Sequence, residues 1–302
     1  MVVALHAGFL GDISSLGQYL TVNGIFRIAV PIFLIINGYY FYSVLLANNQ
    51  ANWLKRVLVL YFFWMVFYSY FWLTVPGGAV NEIFKFIKTI IIGYHHLWYI
   101  SGMIGAAIIL ITLRRFSSFT LFISIISTFL GGVIVQYMGN YHVLEGSVFD
   151  KLFNYNWFHR NMLLFSYPFF CIGYLINKHS LHKFISFKSA CILSVLGVII
   201  LLGESYINYF QAGRYGGFDN YLSLILVCPF IFILFMKSNI SGTNKSIALY
   251  SSAVYFIHSA ILSILRKYSN FDETYLTILT IPASVLASYF IIKINKKLKF
   301  IL

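Results

Sequence analysis

Charge is what this sequence has least of. Of its 302 residues only 10% are Asp, Glu, Lys or Arg, and only 8 are acidic, whereas a soluble domain carries about 25% charged residues. So few charges cannot cover the surface of a water-soluble fold of this length. Cysteine is scarce as well. Cys171, Cys191 and Cys228 stand in apolar stretches with neither paired spacing nor a metal-ligand pattern, so a disulfide framework and a cysteine metal centre are excluded and packing is left as their role. The alternation of apolar and polar residues that barrel strands require is missing. There is also no internal repeat, no low-complexity tract and no linker long enough to set off a second domain. The apolar start MVVALHAGFLG lacks the basic region and cleavage site of a signal peptide, so the first span is expected to serve as its own targeting signal.

What is present is apolar residue in long runs. Hydrophobic residues make up 60% of the chain, in stretches of the length a helix needs to cross roughly 30 Å of hydrocarbon. In lipid every backbone polar group must be satisfied within its own span. The expected fold is therefore all-α: a polytopic transmembrane helix bundle of about ten spans in one membrane-embedded domain over 1–302. The spans are expected near 1–10, 28–46, 57–75, 97–113, 119–138, 161–176, 189–203, 221–236, 247–265 and 274–294. Ten residues rise only about 15 Å, so the first of these is incomplete and a true start upstream is expected.

Assigning the loops alternately to two sides separates the charges. One side holds Lys55, Arg56, Arg114, Arg115, Lys178, Lys183, Lys188, Lys237, Lys245, Lys293, Lys296, Lys297 and Lys299 and no acid, while all 8 acids, Asp219 among them, fall on the other. By the positive-inside rule the first side is cytoplasmic and both termini lie there. The net charge of +13 thus speaks for membrane orientation and against a nucleic-acid partner. Within 76–96, the segment NEIFKFIKTII has Ile83, Phe84, Ile87, Ile90 and Ile91 on one helical face and Glu82, Lys85 and Lys88 on another, the pattern of an interfacial helix.

Ionisable residues inside spans cost at least about 2.5–3.5 kcal/mol and are functional candidates for that reason. Ser251, Tyr255, His258 and Ser259 form one polar stripe, expected to face the bundle interior, where helix packing is the alternative role for the histidine. His6 lies near the outer end of the first span, and Arg27 opens the second, ahead of Pro31 in its first turn and of Gly38, which allows close helix approach. Snorkelling toward water is the alternative for Arg27. His95 and His96 precede LWYISG without a carboxylate or third imidazole at workable spacing, so no metal is expected. Arg160 opens the sixth span and is continued by Tyr167, Cys171 and Tyr174. His6, Arg27, His96, His159 and Arg160 all approach the outer half of the membrane, and a shared polar cavity is the simplest account. Imidazole there can take a hydroxyl proton, and guanidinium can stabilise an oxyanion.

Together LHA, RIAVPIFLIINGYYF, HHLWYISGMI, RNMLLFSYPFFCIGYLI and YSSAVYFIHSAIL, in this order, resemble the acyltransferase 3 family of bacterial membrane O-acyltransferases over nearly the whole chain. The resemblance implies transfer of an acyl group, often acetyl, from acetyl-CoA or another acyl-CoA to a sugar hydroxyl of a polysaccharide or its lipid-linked precursor, at the bacterial inner membrane. His6 matches the family's essential histidine. A basic residue is usual eleven positions before it, which here would precede Met1, and Asn37 stands where a serine is usual. The resemblance implies that His6 is the base, or carries the acyl group in an acyl-histidine intermediate, and that Arg27 or Arg160 stabilises the oxyanion. His96, Tyr255, His258 and Asn37 are expected to bind substrate. Arg114, Arg115, Lys178, Lys183 and Lys188 either hold the nucleotide phosphates or only orient the helices. A transporter or flippase of a glycan or small molecule fits polytopy and a polar stripe equally, although no pair of related halves is visible, and a catalytically silent membrane sensor also remains open.

The charge split yields a first prediction. A reporter fused after Lys299 should be cytoplasmic and one inserted near Asp219 external; reversed labelling would overturn the orientation.

Overall fold

A computed structural model describes residues 1–211, 218–238 and 246–302, so Lys245 lies outside the described residues. Among these every regular element is helical. The principal helices are α1 (Val2–Ala7), α2 (Ser15–Val22), α3 (Ala29–Leu46), α4 (Gln50–Phe67), α5 (Val80–Ile92), α6 (Trp98–Leu113), α7 (Ser118–Asn140), α8 (Tyr167–Lys178), α9 (Phe187–Tyr209), α10 (Leu224–Lys237), α11 (Ser246–Tyr268) and α12 (Glu273–Asn295).

Six stretches among the described residues are long and apolar enough to cross a membrane: Ser15–Leu46, His95–Leu113, Ser118–Asn140, Phe187–Tyr209, Ser246–Tyr268 and Glu273–Asn295. The expected count of about ten is therefore not established. The segment 1–10 yields only the six-residue α1. The segment 57–75 falls on a helix that begins at Gln50, takes in Lys55 and Arg56, and stops at Phe67. The segments 161–176 and 221–236 fall on the shorter apolar helices Met162–Lys178 and Leu224–Lys237, below the roughly 20 residues a perpendicular span needs. The start of the first of these is a wide turn, Met162–Ser166, in which Phe165 and Ser166 both donate to the Asn161 carbonyl. Pro168, one turn on, has no N–H to continue the ladder.

Helix α12 is built inside out relative to a helix of a water-soluble fold. On α12, Thr277, Thr280, Ser284 and Ser288 are buried, whereas Ile278, Ile281, Val285, Leu286 and Phe290 are exposed. Thr277, Thr280 and Ser288 return their hydroxyls to the carbonyl four residues back at 2.6–2.9 Å, which satisfies them without a partner helix. In α7, α9 and α12 only 28% of the most apolar 18-residue stretch is buried within the protein, and the remaining apolar surface needs lipid. On α5, Ile83, Phe84, Ile87 and Ile91 are exposed together, as the amphipathic pattern predicts.

The chain forms two compact units. The first comprises Met1–Gln18, Ala51–Ser101 and the described part of Ser241–Leu302. In it α11 packs along α12 and α1 rests on both, with Ala7, Leu262 and Leu276 forming a buried cluster. The second comprises Tyr19–Gln50 and the described part of Gly102–Ile240. Its tightest pair is α3 with α8. A Cβ on Gly38 would lie 1.8 Å from the Phe170 carbonyl oxygen, and one on Gly173 would lie 2.0 Å from that of Ile35. Each helix thus presses its backbone into the other at a glycine, the close approach that drives association where lipid removes the hydrophobic difference. Asn177 seals the pair by donating its amide to the Tyr39 carbonyl at 2.7 Å.

These distances decide between opposing effects. Alanine at Gly38 gains about 0.8–1.0 kcal/mol of helix propensity, but a Cβ against a backbone oxygen cannot be relieved by a rotamer change, and overpacking costs typically about 1–3 kcal/mol or more. Gly38→Ala should therefore lower the thermal unfolding midpoint in detergent. Gly203→Ala on α9, where the new Cβ meets nothing within 4 Å, should hold or raise it. Equal midpoints for the two variants would refute the close-approach account.

Candidate functional site

In the first unit the polar groups converge on a set of imidazoles. Helix α1 ends at Gly8, whose φ of +85° permits the left-handed cap. Arg266, in the last turn of α11, donates to the carbonyls of His6 and Ala7 at 3.0 and 3.3 Å, placing a cation at the negative end of α1. His6 is held by its backbone in this way.

Two more histidines arrive on a sharp bend. Gly93 has φ +99°, and a Cβ there would lie 2.8 Å from the backbone of Leu97 and Trp98, so only glycine fits. His95 follows with φ +47°, a left-handed conformation uncommon for a side-chain-bearing residue and frequent at functional sites. The bend places His95 exposed and His96 buried. His6 and His95 lie 4.6 Å apart between ring centroids, His6 and His258 5.3 Å, and His96 and His258 5.1 Å. Ser259 Oγ is 3.3 Å from His95 Nδ1. The Tyr255 hydroxyl donates to the His96 carbonyl, and its ring packs on that of His96 at 5.3 Å. The cluster grades from exposed His95 through half-buried His6 to fully buried His258.

The protonation of His258 follows from its surroundings. Nδ1 faces the carbonyls of Tyr255 at 2.7 Å and Val254 at 3.1 Å. Both groups only accept, so Nδ1 carries the proton and Nε2 of the neutral ring is a lone pair. That Nε2 is buried and makes no hydrogen bond among the described residues. The turn that bears it is bracketed by Tyr68, whose hydroxyl donates to the Phe256 carbonyl at 2.6 Å and accepts from the Ala260 N–H at 3.2 Å. One rung of α11 would join those same two groups. The Tyr68 ring also packs against His96 at 5.1 Å.

The second unit holds a different constellation. Asp219 receives Arg27 Nη1 on one oxygen and Arg160 Nη1 on the other, the latter at 3.0 Å. Arg27 Nη2 also donates to Asn23 Oδ1 at 2.5 Å. Gln136 Oε1 accepts from the backbone N–H groups of Asp219 and Asn220 at 2.8 and 2.9 Å, which fixes the loop carrying the carboxylate. Burial opposes ionisation of Asp219, but the Arg160 and Arg27 guanidiniums overcome it and hold the carboxyl below its usual range. Asn37 donates to the Phe33 carbonyl on its own helix at 2.8 Å.

The structure thus gathers His6, His96, Tyr255 and His258 within the first unit, and Arg27 and Arg160 within the second, where Asn37 and buried His159 also lie. Of the polar stripe on α11, Tyr255, His258 and Ser259 are buried but Ser251 is exposed. The helix carries it into the first turns, away from the packed stretch. Sequence reasoning counted Asp219 only as an outer acid. The signal available was its rarity, one of 8 acids in a chain with two arginines opening spans. Tyr68 gave no signal, since it is one of 23 tyrosines. No group of three His, Cys, Asp or Glu among the described residues is placed to hold a metal ion.

The model of the acyltransferase 3 family, described as an acyltransferase domain, matches residues 1–293. A protein named serine/alanine racemase from Enterococcus gallinarum is 27% identical over 287 residues, covering 85% of this chain and 38% of that protein. An amino-acid racemase from Enterococcus faecalis is 24% identical over 324 residues, covering 99% of this chain and 45% of that protein. The chain therefore spans less than half the length of these relatives. No solved structure matches it at a significant level.

Asp219→Asn would leave two guanidiniums, only 12% and 23% exposed, without their shared counter-charge. Removing one partner of a buried pair costs about 3–5 kcal/mol, and the lower end applies here because Arg160 keeps some water. Because the folded carboxyl is held low, its contribution is complete above the usual carboxylate range and is lost as pH falls through the folded value. The wild type should therefore lose thermal stability on strong acidification in detergent. Asp219→Asn should begin less stable and lack that acid-dependent component; unchanged unfolding of the variant at neutral pH would contradict the assignment.

Proposed function

The chain belongs to the acyltransferase 3 family, and we propose that it is a membrane O-acyltransferase. In this reading it moves an acyl group, acetyl foremost, from acyl-CoA to a sugar hydroxyl of a cell-surface polysaccharide or its lipid-linked precursor. The observation that carries the reading is the histidine cluster of the first unit, with its gradient from an exposed to a fully buried imidazole. Imidazole can take a hydroxyl proton near neutral pH, and half-buried His6 is the ring of this cluster proposed to do so.

In the proposed step His6 takes the proton of the acceptor hydroxyl. The oxygen attacks the thioester carbonyl, a C–O bond forms and the C–S bond breaks, and the His6 proton passes to the departing thiolate to give free CoA and an ester. Arg27 or Arg160 remains the candidate for stabilising the oxyanion by family resemblance alone, since within the second unit each already gives one donor to Asp219. Arg114, Arg115, Lys178, Lys183 and Lys188 are proposed to hold the nucleotide phosphates on the cytoplasmic side, with the bilayer as the protein's permanent partner. The names of the two relatives favour a second reading, since they concern amino acids and neither mentions acyl transfer. In that reading the bundle carries a small amino acid across the membrane, and solute flux without CoA release would identify it.

His6→Gln keeps size and a hydrogen bond but cannot accept a proton at neutral pH. General-base assistance is worth about 10²–10⁴-fold, so acetylation of envelope glycan in expressing cells should fall to background while the protein still inserts at normal levels. Near-normal acetylation by His6→Gln would remove His6 from the chemistry.

A further inference from the structure

The buried Nε2 of His258 requires an explanation. In a solvent-excluded place an acceptor without a donor is costly, and native proteins leave few such atoms. The fold has gone to some length to present it. Two backbone carbonyls fix the proton on Nδ1, and Tyr68 clamps the same turn of α11 through Phe256 and Ala260. The outcome is a lone pair of fixed direction inside the histidine cluster. The His6 ring lies 5.3 Å away between centroids and is tilted by only 30°. At that separation, two imidazole nitrogens turned toward one another would lie about one N–H···N hydrogen bond apart.

We infer that His258 is the positioning residue of His6: its Nε2 accepts one His6 N–H when substrate is bound, so that the opposite His6 nitrogen is left unprotonated toward the acceptor hydroxyl. This rests on the acyltransferase reading. The hydroxyl proton goes to the outward nitrogen of His6 and from there to the CoA sulfur, while His258 holds the inward N–H throughout. It is the part a buried carboxylate plays behind a catalytic imidazole, filled here by a neutral group. A neutral acceptor suits a membrane, where an unpaired carboxylate costs far more than an imidazole. Tyr68 belongs to the same device one step back, since it sets the helix turn from which His258 projects.

The two amide replacements of histidine separate this role from packing. His258→Asn keeps a donor where Nδ1 stands and has nothing at Nε2; His258→Gln keeps an acceptor near Nε2. The assay follows CoA release from acetyl-CoA, together with acetylation of envelope glycan, in membrane vesicles carrying the full chain. Expected is a loss in kcat of roughly 10²-fold for His258→Asn, with KM for acetyl-CoA within about twofold, and a loss of no more than about tenfold for His258→Gln. Tyr68→Phe should lower kcat about three- to tenfold, again without a change in KM. It serves as the second variant if His258→Asn fails to insert. Equal activity of the Asn and Gln variants, the reverse order, or a Tyr68→Phe effect confined to KM would overturn the assignment while leaving the acyltransferase reading intact. If the wild-type vesicles release no CoA and acetylate no glycan, that reading falls and this inference falls with it.

Discussion

A backbone group facing hydrocarbon must find its partner within the protein, and this constraint shapes each unit. Where helices meet closely they do so at glycine, so that carbonyls such as those of Phe170 and Ile35 stay within their own ladders while the opposing backbone presses against them. Where a ladder is disturbed, a side chain is at hand. Asn161 caps the wide turn ahead of α8 with its Oδ1, and Tyr68 occupies a rung of α11. Hydroxyls on α12 that water would otherwise satisfy turn back on their own helix. The histidine cluster is an outgrowth of the same rule, because the carbonyls that orient His258 are those of its own helix, one turn back.

How much of this can be read from the residues alone varies with the kind of interaction. The helical class and the lipid environment follow from composition, because scarcity of charge and length of apolar runs are properties of whole segments. Gly38 as a point of close approach and the amphipathic helix within 76–96 are equally local, and both stand in the structure. The span count is less legible. Hydropathy does not distinguish a 23-residue helix such as α9 from the 14-residue α10, whose preceding residues 218–223 are partly apolar but not helical. Helix ends are set by tertiary partners, and those lie far off in sequence.

The site divides along the same line. His6, His96 and His258 are conspicuous as ionisable groups in apolar surroundings, so the sequence marks them individually. Their association depends on the bend at Gly93 and on the cap that Arg266 places on α1, neither of which leaves a periodic trace. Arg27 and Arg160 are conspicuous for the same reason. Their shared carboxylate is not, since Asp219 is separated from them by 192 and 59 residues.

That separation has a bearing on biogenesis. A chain made from its N-terminus presents Arg27 to the membrane long before Asp219 has been synthesised, and Arg160 enters before it as well. During that interval both guanidiniums lack their mate and must rest against interfacial water and lipid phosphate, which long cationic side chains reach readily. The ion-pair network of the second unit stays incomplete until the loop before α10 delivers its carboxylate. Its completion is thus timed by the arrival of a late residue, and an assembly stalled before that point would differ from the finished unit by exposing two arginines to lipid headgroups.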